Sequence, residues 1–109
     1  MRRAALIEFH METTARALAL LVKKNEDYAS DENPFANFSR VNAMGICSTM
    51  EGFLVRMTDK MSRLSNFAKR QKFSVKDETL TDTCLDLINY ATLLLAWTES
   101  SQSEAEMEE

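Results

Sequence analysis

The chain carries one proline, two glycines and one histidine in 109 residues, and its two cysteines form no CxxC pair. So few turn-making residues point to long helices and an all-α fold. A basic excess is also missing: with a net charge of -4 the chain lacks the field that nonspecific duplex binding needs, so direct binding of double-stranded nucleic acid is not expected. No window approaches the ~20 apolar residues of a membrane span. The apolar run of "MRRAALIEFHMETT" stops at Glu8, too short for a signal-peptide core. Cys47 and Cys84 are then expected as buried thiols in a reducing cytoplasm. There is no Walker loop, no GxGxxG and no nucleophile elbow, which excludes a conventional phosphate cradle and Ser-His-Asp catalysis. His10, beside Phe9 and Met11, reads as a helix-surface histidine.

What is present suits one helical domain over residues 1–98, with 45% apolar and 28% charged residues. The spacing of Leu6, Phe9, Ala17, Leu20 and Leu21 predicts a first helix from about Ala4 to Lys24. The stretch "NEDYASDENPFANFSR" predicts a polar loop anchored by Phe35 and Phe38. A short helical turn over Ser39 to Met44 is expected next, with Gly45 as its left-handed cap. Ser48-Thr49-Met50-Glu51 fits a capping box, so a second long helix is expected from Thr49 to Lys69, with Phe53, Leu54, Met57, Met61, Leu64, Phe67 and Ala68 along one stripe. Ser74 or Asp77 is expected to cap a third, ending near Trp97. Residues 99–109, polar and acidic, are expected as a disordered tail. The third helix is apolar on most faces, more than one three-helix layer readily covers, so a homodimer or a larger helical-bundle oligomer is expected.

The chemistry is concentrated on that third helix. Glu78, Asp82, Asp86 and Asn89 fall on one stripe among Leu85, Leu87, Ile88 and Leu94. A carboxylate in such surroundings must have a cation near it or lose its charge. Two arrangements satisfy this. In the first, an interhelical ladder, Arg56, Lys60 and Arg63 neutralise Glu78, Asp82 and Asp86, and no chemistry is required. In the second, a divalent ion sits among Asp59, Asp82, Asp86 and Glu78 while the basic residues hold phosphates; oxygen ligands without histidine suit Mg²⁺ or Mn²⁺. The residue physics alone favours the ladder.

Four ordered segments, "KNEDYA", "NPFANF", "VRMTDKMSRLSNF" and "VKDETLTDTCLDLINYA", resemble the nucleotide modification associated domain type 1 family, common in phages, over about residues 20–97. The chain is also remotely similar to the all-α nucleoside triphosphate pyrophosphatases, the MazG-like and dimeric dUTPase group, which hold Mg²⁺ with acidic residues of two helices. That resemblance places Glu78, Asp82 and Asp86 at acidic positions of the later helix. The earlier helix departs from the pattern, carrying Arg56, Asp59, Lys60 and Arg63 where paired glutamates are usual. The resemblances imply a Mg²⁺-dependent nucleotide-binding protein of phage-type nucleotide metabolism or DNA modification, acting in a host cytoplasm, with hydrolysis and its catalytic residue left open. For a bound nucleotide, Lys24, Arg56, Lys60 and Arg63 would meet phosphates and Tyr28 or Phe38 would stack on the base. Asn37 and Asn89 would hydrogen-bond sugar or base, and Asp27 would join the metal shell. The competing expectation is a non-enzymatic helical interaction module, such as a phage inhibitor of a host or defence protein, in which the ladder is purely structural.

Overall fold

The computed structural model describes residues 1–70 and 78–108, without the side chains of 78–79 and 102–108. The chain is all-α: α1 spans Arg3–Tyr28, α2 Ala36–Ala43, α3 Thr49–Arg70 and α4 Glu78–Glu108, with no strand among the described residues. The segment expected to cap α4, with Ser74 and Asp77, lies outside the described residues.

Local chemistry explains most of the boundaries. Ser48 and Glu51 close the capping box in both directions: the Glu51 amide donates to Ser48 Oγ at 3.1 Å, and the Ser48 amide donates to Glu51 Oε1 at 3.2 Å. Those bonds hold the Glu51 carboxyl below its ordinary pKa. At the end of α2, Gly45 takes φ 74°; the Gly45 amide then reaches the Asn42 carbonyl and the Ile46 amide the Val41 carbonyl, which is a Schellman termination. Helix α2 begins at Ala36, three residues before the expected turn.

Two ends differ from the sequence expectation. Helix α1 continues one further turn, through Asn25 to Tyr28, because Asn25 is held by the following loop: its Nδ2 donates to the Pro34 carbonyl at 2.8 Å. That loop is tightened by Asn33, whose side chain accepts from the Phe35 amide at 3.2 Å. Helix α4 runs past Trp97 to Glu108. Nothing in "TESSQSEAEME" stops a helix: it has no Gly or Pro, and Glu, Gln, Ala and Met are good helix formers.

Helix α4 packs against both α1 and α3, and α2 packs on α3. The centre is aromatic. Phe38 of α2 stacks on Phe53 of α3 with centroids 4.0 Å apart, Tyr90 of α4 meets the Phe38 ring edge-on at 5.9 Å, and Trp97 lies against Phe53 at 5.8 Å. Phe67, Leu85 and Ala17 are buried around it. Gly52 permits the close approach of α2 to α3, since a Cβ there would meet Val41 Cγ2 at 2.9 Å and the Phe38 carbonyl oxygen at 3.2 Å. Of the expected α3 stripe, Phe53 and Phe67 are buried and Met57 and Leu64 half-buried, while Leu54, Met61 and Ala68 are exposed. Cys84 is exposed and Cys47 half-buried, so neither is the buried thiol expected from composition.

Candidate functional site

The polar residues of α4 that sit in the core are Thr83, Asp86 and Asn89. Asn89 is a structural pin: its Nδ2 donates to the Ala17 carbonyl of α1 at 2.9 Å, within the buried α1–α4 contact. Asp86 is a junction of three helices. Lys24 Nζ of α1 donates to its Oδ1 at 2.8 Å, and Lys60 Nζ of α3 approaches its Oδ2 at 2.9 Å. Burial alone would raise the Asp86 pKa, but the hydrogen bonds and charges of Lys24 and Lys60 outweigh it and leave the carboxyl below the usual aspartate range. Lys24 mirrors this: burial pulls its pKa down, and the hydrogen bond and charge of Asp86 raise it above the ordinary lysine value.

Beside this junction is a pocket of about 330 Å³ walled by all four helices and the α1–α2 loop. Three cations line it, Lys24, Arg56 and Lys60, against one carboxylate, Asp86. Asn25, Asn37 and Asn89 supply amides, and Tyr28, Tyr90, Leu21 and Leu93 supply apolar surface. Arg56 Nη2 donates to Asn37 Oδ1 at 3.4 Å, a long bond that leaves most of the guanidinium available. Tyr28 is half exposed, so its ring is free.

Lys24, Tyr28, Asn37, Phe38, Arg56, Lys60, Asp86 and Asn89, all expected at a site, line this one pocket. One of them cannot play the role expected. The Phe38 ring is stacked on Phe53 and buried, so no base can stack on it. Asn89 gives one of its two amide N–H groups to the Ala17 carbonyl and keeps the other and its oxygen. Asp27, Asp59, Arg63 and Asp82 are exposed and do not line the pocket. Arg63 instead pairs with Asp59 one turn away on α3, at 3.5 Å. The side chain of Glu78 lies outside the described residues.

Among the described residues, Asp59, Asp82 and Asp86 are not grouped as the expected divalent-ion set would have them. Both Asp86 oxygens face ammonium groups, Asp59 faces Arg63, and no three His, Cys, Asp or Glu side chains among the described residues are grouped to hold a metal. Neither is the full ladder formed: Lys60–Asp86 is its one rung among the described residues, and the second partner of Asp86 comes from α1. Asn25, Leu21, Tyr90 and Leu93 went unread in the sequence as site residues. Asn25 carried a usable signal, an amide one position past Lys24, whereas the apolar residues carried none. Comparison of the chain with protein families, with curated proteins and with solved structures gives no match.

Proposed function

We propose that the chain binds a nucleotide in the pocket between α1 and the α2–α3–α4 layer. One observation carries this: in a chain of net charge -4, three cations and one carboxylate converge on a single concavity beside amide groups and a free tyrosine ring. Phosphate oxygens would meet Lys24, Arg56 and Lys60, Arg56 being suited to planar, two-point contact with an oxyanion. The Tyr28 ring would stack on the base. The volume sits at the low end for small-molecule sites, a fit for a mononucleotide. Magnesium belongs in this proposal as the counterion that a nucleoside triphosphate brings from solution, not as an ion gripped by the described carboxylates.

Isothermal titration with a panel of normal and modified deoxynucleoside triphosphates, with Mg²⁺ or with EDTA, tests the proposal, and pyrophosphate release is followed in the same samples. Binding of at least one nucleotide is expected, with Arg56→Ala weakening it about tenfold, or ~1.4 kcal/mol. Absence of binding across the panel by a folded protein would refute it. The structural alternative, a helical interaction module, is favoured by one observation: Lys60 and Asp86 join α3 to α4 at a buried position, as a register-fixing pair would.

A further inference from the structure

The pocket that carries the proposed function also limits how much phosphate it can take. Its lining sets Lys24, Arg56 and Lys60 against Asp86, which leaves two positive charges in excess, and the other lining residues carry none. Against burial, their ion pair holds the Asp86 carboxyl below and the Lys24 ammonium above the ordinary value, so both stay charged at neutral pH. The cations are gathered rather than strung out. Lys24 and Lys60 reach the two oxygens of a single carboxylate, at 2.8 and 2.9 Å, so one small oxyanion spans both ammonium groups. Arg56 lies one turn before Lys60 on the same face of α3, and its long bond to Asn37 leaves N–H groups to donate.

Three ligand chemistries then separate. A phosphate monoester offers three terminal oxygens and a charge of about -1.5 to -2 at pH 7, which matches the excess. A phosphodiester carries a single negative charge and leaves a cation unmatched. A triphosphate adds phosphoryl groups whose charge no other lining residue meets, and no three acidic side chains among the described residues are grouped to hold an ion that would offset it. Size agrees: at about 330 Å³ the pocket is near the lower bound for small-molecule sites, which favours the shorter ligand. We infer that the pocket is a seat for a single phosphate monoester, which makes its ligand a nucleoside 5′-monophosphate in preference to a triphosphate or a phosphodiester, bound without a divalent ion. The monoester follows from the cations alone, whereas the nucleoside rests on the function proposed above.

Isothermal titration of the full chain in EDTA tests this with four probes: deoxynucleoside 5′-monophosphates, their 3′,5′-cyclic forms, the triphosphates, and 2-deoxyribose 5-phosphate. A monophosphate should bind about tenfold more tightly than the cyclic form of the same base, and more tightly than its triphosphate. Arg56→Ala should weaken the monophosphate about tenfold and the cyclic form far less, erasing that preference while helical circular dichroism is unchanged. A triphosphate or a cyclic form that binds as tightly as the monophosphate would overturn the monoester seat and leave the nucleotide reading standing. Deoxyribose 5-phosphate binding as tightly as every nucleotide would support the seat and refute the nucleotide reading. A folded protein that binds none of the four overturns both.

Discussion

Removing the Asp86 carboxylate strands two ammonium groups that the fold has drawn together from different helices. Breaking a buried pair from one side typically costs 3–5 kcal/mol. Lys24 is 42% exposed in its side chain and recovers hydration, so Asp86→Ala is expected near the lower bound, about 3 kcal/mol by chemical denaturation. Lys60, only 14% exposed, depends on the carboxylate more than Lys24 does. The same junction shapes pH dependence. Asp86 titrates lower in the folded chain than in the unfolded one, so its contribution is present above the ordinary aspartate value of about 3.9 and is lost as pH falls through the lower folded value. Lys24 titrates higher when folded, so its contribution is present below about 10.4 and is lost as pH rises through the raised value. Denaturation midpoints of Asp86→Asn should therefore vary less with pH than wild type at both limits; an unchanged pH profile would show that the junction adds no stability.

Among the elements, the α2–α3 contact is set by the missing side chain at Gly52. In Gly52→Ala the methyl would press on the Val41 side chain, which can turn, and on the Phe38 carbonyl oxygen, which cannot. Overpacking of this kind costs about 1–3 kcal/mol, and the gain in helix propensity returns up to about 1 kcal/mol, so a net loss of about 1 kcal/mol is expected from urea unfolding. A more stable variant would mean that α2 moves away at no cost. Features of this scale divide by range. The Ser48–Glu51 box, the Gly45 cap and the existence of the long helices were legible, because each depends on residues a few positions apart. The end of α4 is less legible, because the polarity of residues 98–108 suggests an exposed tail while their helix propensity lets α4 continue to Glu108. In the site, the need of Asp86 for a cation could be read from its apolar neighbours, and Lys60 was among the candidates. Lys24, 62 positions away, entered only as a phosphate ligand, since no local pattern tells which helix α4 will lie beside. The same ignorance hid the stacking of Phe38 on Phe53, which removes Phe38 from any ligand.

At the scale of the whole molecule, an acidic chain gathers Lys24, Arg56 and Lys60 into an inward-facing concentration of positive charge. Salt should then weaken ligand association by screening, as between any partly exposed opposite charges. If a nucleotide binds as proposed, the junction would also tie recognition to folding, because the ammonium groups offered to a phosphate are those already holding Asp86. On that reading Asp86 would be a resident competitor, an anion covalently attached to the protein that holds the berth against a stronger one. An incoming phosphate would compete with it for those ammonium groups, loosening the clasp between α1, α3 and α4 as it does so. Asp86→Asn should consequently make the protein less stable yet a tighter binder of nucleotide by calorimetry, whereas an ion-mediated site would lose its affinity with the same substitution. The least stable variant would then be the most avid one.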